Sequence, residues 1–109
     1  MKKNQDNIIL TATDPEGRTV TLSEERWDHI KNRHPEITKI SEVSTTVSKP
    51  LVIIENSERE SLTYSAQGRS TLLMNVHASF TSEKTLKVRT AHLSAKMPQG
   101  DVIWQQSKK

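Results

Sequence analysis

The chain has 109 residues, of which 32% are hydrophobic and 27% charged, with four aromatic side chains other than histidine and no cysteine. That length fits one domain, with residues 7–105 as its ordered core and polar, loose tips at Met1–Asp6 and Gln106–Lys109. The absence of cysteine excludes a disulfide scaffold, a thiolate metal site and a cysteine nucleophile, and no apolar run approaches the ~18 residues a membrane span requires.

Lys2 and Lys3 precede only Ile8-Ile9-Leu10, too short for a signal-peptide core, so a cytoplasmic protein is expected. The net charge of +3 divides unevenly. Residues 1–60 carry 9 basic and 11 acidic side chains, and residues 61–109 carry 7 basic and 2 acidic, a +5 half of the kind a polyanion binder presents.

Ile8–Thr11 and Thr19–Leu22 flank Asp14-Pro15-Glu16-Gly17, a turn signal that predicts a short N-terminal hairpin. Ser23 then marks a helix start, with Glu24 and Glu25 in the first turn and Leu22 and Trp27 at staple positions. Pro35 ends that helix at His34. A second amphipathic helix places Ile40, Val43 and Val47 on one stripe and stops at Pro50. Its Ser, Thr and Val content means that packing rather than propensity must hold it.

Four strands follow, at Leu51–Glu55, Ser61–Ala66, Ser70–His77 and Leu86–Leu93, with a possible fifth at Val102–Gln105. The expected fold is α+β: two N-terminal helices on one face of a four- or five-stranded antiparallel sheet, preceded by the hairpin.

Apolar matching sets an expected register. Pairing Val76 with Leu86 and Met74 with Val88 puts Leu72 opposite Thr90 and Ser70 opposite His92. A compatible register pairs Leu62 with Met74 and Tyr64 with Leu72. The helix-covered face then turns polar at one end, through Tyr64, Thr90, Ser70 and His92, with Arg69 nearby, and a cleft is expected there. On the first helix Arg26, His29 and Arg33 flank the apolar stripe of Trp27, Ile30 and His34. The candidate cluster is therefore His29, Arg33, Tyr64, Arg69, Thr90 and His92. His77 falls on the opposite face, roughly 20 Å from His92 at ~3.3 Å per residue, and is set aside, while Arg89 points away from the helices.

Two histidines, arginine and a hydroxyl suit RNA cleavage without a metal. One imidazole removes the ribose 2′-hydroxyl proton, another protonates the leaving 5′-oxygen, and arginine and hydroxyl groups stabilise the phosphorane. No cofactor is needed. His29 and His34 lie about 140° apart around a helix and cannot chelate one ion from one face, and no G-x-S-x-G marks a serine hydrolase.

The stretch Arg26-Trp27-Asp28-His29-Ile30-Lys31-Asn32-Arg33-His34-Pro35-Glu36 resembles the W-x-H-I-x-x-x-H-P-E helix of small phage and bacterial proteins in the barnase–EndoU–colicin–RelE-like nuclease superfamily. The second helix ending at Pro50 before Leu51-Val52-Ile53, the strand Leu72–Val76, and Val88-Arg89-Thr90-Ala91-His92, similar to V-x-T-A-Y, extend the likeness over roughly residues 20–104. The resemblance implies a metal-independent endoribonuclease, often a toxin with a cognate antitoxin or immunity protein, and its matching positions are His29, Arg33 or His34, and Thr90. His92 stands where an aromatic residue is usual, so its role rests on the strand register. His34, Tyr64, Arg69 and Arg89 are the candidate substrate contacts around catalytic His29, Arg33, Thr90 and His92. The alternative is an inactive module of the same fold that binds RNA or a protein.

Overall fold

The computed structural model describes residues 7–107, and the expected looseness of Met1–Asp6, Lys108 and Lys109 lies outside them. Seven strands, β1 (Ile8–Thr13), β2 (Thr19–Ser23), β3 (Val52–Glu55), β4 (Ser61–Gln67), β5 (Leu73–Phe80), β6 (Thr85–Ser94) and β7 (Asp101–Gln105), form one sheet in the order β1-β2-β6-β5-β4-β3-β7. Helices α1 (Glu24–Arg33) and α2 (Ile40–Ser48) connect β2 to β3.

This corrects the expected four- or five-stranded antiparallel sheet. The hairpin strands are not an appendage: β2 runs parallel to β6 through Thr19–Thr85, Val20–Leu86 and Thr21–Lys87, which makes the sheet mixed and brings β1 in as one edge. The two helices supply the long crossover that a parallel pair requires. β7 forms the other edge, antiparallel to β3.

Local chemistry accounts for each element. The carboxylate of Asp14 accepts hydrogen bonds from the Glu16 and Arg18 amides, and Gly17 takes the positive φ (87°) that closes the β1–β2 turn. Ser23 Oγ accepts from the Arg26 amide at 3.2 Å and caps α1, whose last turn carries Lys31 and Arg33 toward the negative end of the helix dipole. Glu42 reaches back to accept from the Thr38 and Lys39 amides at the start of α2. Thr46 and Ser48 bond back to the Glu42 and Ser44 carbonyls, so buried Val43 and Val47 must anchor this helix by packing.

Pairing registers divide the sheet into two faces. The first carries Ile53, Leu62, Tyr64, Met74, Val76, Ala78, Leu86, Val88 and Ala91, all buried against Ile30, Ile37, Val43 and Val47. The second carries Thr63, Ser65, Asn75, His77, Thr90 and His92. Gln106, expected to be loose, donates its amide to the Leu51 carbonyl at 2.8 Å.

Both expected registers are displaced. In β4–β5, Leu62 faces Ala78, Tyr64 faces Val76 and Ala66 faces Met74. The shift is an even number of residues, so every β4 and β5 side chain keeps its face. The cause lies in the turn, which takes in Gly68 to Leu72 with Ser70 at positive φ (56°), so β5 starts at Leu73 rather than Ser70.

In β5–β6 the outcome differs. Phe80 faces Leu86 and Ala78 faces Val88, but the next pair is His77 with Thr90, which leaves Arg89 as an extra residue. This β-bulge reverses the alternation beyond it. Ala91 and Leu93 enter the core face, while Thr90 and His92 turn to the other. The core face therefore does not become polar through Thr90 and His92, and the cleft expected there does not form from them.

Candidate functional site

His92 lies next to Asn75 on the second face of the sheet, and Thr90 next to His77. The rings of His92 and His77 are stacked, with centroids 5.1 Å apart and planes 12° from parallel. Thr63 Oγ1 holds His77 Nδ1 at 2.7 Å from the neighbouring strand. His77, expected on the opposite face from His92 and far from it, thus packs directly on its ring.

The third imidazole comes from the helical layer. β2 pairs with β6 only as far as Lys87, and beyond that α1 runs along the β6 edge, where Arg26 Nη1 reaches the Arg89 carbonyl at 3.5 Å. The helix ends at His34 because Pro35 follows, and this stop sets the His34 ring 5.9 Å from that of His92, tilted by 37°. Glu36 Oε2 stands 3.7 Å from His34 Nδ1, within reach of the protonated ring. His34, His92 and His77 therefore form a row from the sheet's rim across its polar face.

Residues 95–100 wall this face on the far side. They leave β6 at Ser94 and return at β7, with three strands between, so that Gly100 lies against Ile54. Asn75, fully buried, fastens the start of this segment: its Oδ1 accepts from Ser65 Oγ and its Nδ2 donates to Ser94 Oγ at 2.9 Å, and Ser94 Oγ donates to the Lys96 carbonyl. Val52 and Ile54 are buried beneath the wall, while Thr63, His77, Thr90 and His92 remain partly exposed.

Burial shapes the protonation of the row. His77 is driven down to about 4, first by burial and then by the charge of a protonated His92. His92 is also lowered, by burial and then by His34, with Glu36 opposing. Both rings are therefore neutral near pH 7, in the form that accepts a proton.

The other candidates are spread more widely. His29 is half-buried in the middle of α1 and Arg33 is exposed on its last turn, and among the described residues no hydrogen bond, ion pair or ring contact joins either to His92. Arg89 is exposed at the bulge. Tyr64 is fully buried in the core, with its hydroxyl donating to Asp14 Oδ2 at 2.7 Å. Arg69 binds Glu42 Oε2 at 2.6 Å and the Glu36 carbonyl, beside an open pocket of about 270 Å³ between α2 and the β4–β5 turn. Of the eight residues singled out, the fold gathers His34, Thr90 and His92.

His77, Thr63 and Asn75 were missed. The alternation Asn75, His77, Ser79 in β5 and Ser61, Thr63, Ser65 in β4 is a legible sign of a sheet face without helices. Among the described residues no group of three or more His, Asp or Glu side chains is placed to hold a metal ion, and no helix is long and apolar enough to cross a membrane. No family model matches the chain, and neither a curated protein nor a solved structure matches it significantly.

Proposed function

We propose that the protein is a metal-independent endoribonuclease that acts in the cytoplasm, as a toxin or phage-associated effector, with His92 and His34 as its acid–base pair. The observation that carries this reading is the approach of the two imidazoles, 5.9 Å between centroids, at the rim of an open polar sheet face. The reaction class is the one implied by the resemblance of the Trp27–Glu36 segment.

The chemistry follows from the environments. His92 is depressed by burial and by its neighbour, so at neutral pH it has a free nitrogen to take the proton of a ribose 2′-hydroxyl. The 2′-oxygen attacks phosphorus, the bond to the 5′-oxygen breaks, and the leaving oxygen takes a proton from the His34 imidazolium. Glu36 lies where it pairs with that imidazolium before transfer. Thr90, on the same face as His92, offers a hydroxyl to the phosphorane oxygens, and Arg33, one residue before His34, offers a cation to the flanking phosphate. The basic C-terminal half supports a polyanionic substrate.

The test is incubation of the purified protein with RNA in EDTA, followed by mass spectrometry of the ends. Fragments ending in 2′,3′-cyclic phosphate, absent with His92→Ala, are expected. Salt-dependent RNA binding without turnover would favour an RNA-binding module instead, and a requirement for a divalent ion would remove the mechanism.

A further inference from the structure

His77 has no part in the proton transfers assigned above, yet its surroundings are those of a placed residue. Its ring stacks on His92 at 5.1 Å and 12°, and its Nδ1 is tied to Thr63 Oγ1 at 2.7 Å. Its strand neighbours on the two sides are Thr63 and Thr90, so hydroxyl-bearing residues flank it within one row of the sheet. His92, by contrast, has no hydrogen bond from its own ring among the described residues, and its position depends on what packs against it.

The groups that face His92 come from two directions. His34 and Glu36 approach from the end of α1, and His77 approaches from β5. A ring free to turn about its χ angles and covered on one flank only would sample orientations in which its nitrogens miss a substrate. Stacking on a tethered ring removes that freedom before substrate arrives.

We propose that His77 is a positioning residue for His92: locked by Thr63 and stacked on the His92 ring, it holds that imidazole in line with His34. The inference rests on the reading of His92 and His34 as the acid–base pair only for its catalytic consequence, since the positioning itself is a property of the folded protein. Phenylalanine keeps the flat ring but not the bond to Thr63, so it should replace His77 in part and alanine should not. The partial cover that His77 gives also contributes to the burial that keeps His92 unprotonated.

The experiment follows the imidazole resonances of His92 by NMR across pH 4–8 in the full chain, for the parent, His77→Phe, His77→Ala and Thr63→Val. In His77→Ala the His92 titration should move upward toward the ordinary histidine value, whereas His77→Phe should keep it near the parent. Thr63→Val, which leaves both rings, should weaken the His77–His92 ring cross-peaks. RNA cleavage is read in parallel: His77→Ala should lower kcat by about ten- to a hundredfold with KM unchanged, and His77→Phe should recover part of that loss. An unmoved His92 titration in His77→Ala, or the same shift in both His77 variants, overturns the positioning role. Should the parent cleave no RNA, the nuclease reading fails while the NMR series still decides what His77 does.

Discussion

Tyr64 Oη donates to Asp14 Oδ2 at 2.7 Å, which ties the middle of the sheet to the turn of the N-terminal hairpin. The side chain of Asp14 has no exposed surface, and it also accepts from the Glu16 and Arg18 amides and pairs with Arg18 Nη1 at 2.8 Å. Burial and the adjacent carboxylate push the Tyr64 phenol far above its ordinary range, so it remains a neutral donor at any working pH. Tyr64 is a structural lock, although its place in the sequence suggested substrate contact.

Removing that hydroxyl tests the lock. Tyr64→Phe keeps the ring and leaves a buried carboxylate oxygen without one of its donors, which should cost about 1–3 kcal/mol. Thermal denaturation should show Tm lowered by several degrees. An unchanged Tm would mean that Arg18 alone satisfies Asp14.

Stability should depend on pH through the histidine row. The folded-state value of His77 is about 4 and that of His92 is also lowered, against an unfolded value of 6.5. Between those limits the unfolded chain binds protons that the native state does not, so stability is full above pH 6.5, declines as pH falls toward 4, and levels off below. Urea midpoints measured from pH 7.5 to 4.5 should follow this course, and His77→Phe should make the decline shallower.

Kinetics should separate the proposed acid–base pair from His29. His92→Ala and His34→Ala are each expected to reduce the rate of RNA cleavage by about 10²–10⁴-fold while the circular dichroism spectrum is preserved. His29→Ala should stay near the parental rate, since among the described residues no ring contact joins His29 to His92. The opposite order of effects would move the site to the exposed side of α1.

Gly100 is the point at which the wall over the sheet permits no side chain. Its φ is 139°, and a Cβ there would lie 2.6 Å from the Glu55 carbonyl oxygen and 2.7 Å from Ile54 Cγ2. Gly100→Ala should therefore destabilise by about 1–3 kcal/mol or more. Hydrogen exchange should locate the loss at β3 and β7, and protection unchanged at both strands would contradict the close packing.

Much of the local structure was legible in the sequence. Ser23 caps α1, Pro35 stops it, and α2 occupies the stretch its Ile40, Val43 and Val47 stripe marked. These features are encoded within a few residues. The face of each residue in β4 and β5 was also legible, because an even register error leaves the alternation intact.

What escaped was non-local. No pattern in Lys87-Val88-Arg89-Thr90 announces a bulge, yet that one extra residue carries Thr90 and His92 from the helical side to the open side. The same step makes His77 a neighbour of His92. Likewise, the parallel joining of β2 to β6 depends on how two helices span the sheet, and a strand-by-strand reading of an antiparallel meander contains no such pairing. Residue type singles out His92 and Thr90, but the expected register puts them on the helix-covered face and the bulge puts them on the other.

The parallel β2–β6 pair also carries a consequence for the order of assembly. β3 to β6 are linked by short turns, whereas the pairing of Val20 with Leu86 closes a stretch of chain that holds both helices and β3 to β5. Such distant closures are slow because chain entropy is lost before contacts form. The hairpin should therefore dock last. His34, whose helix grows out of β2, would then reach His92 only at the final step of folding.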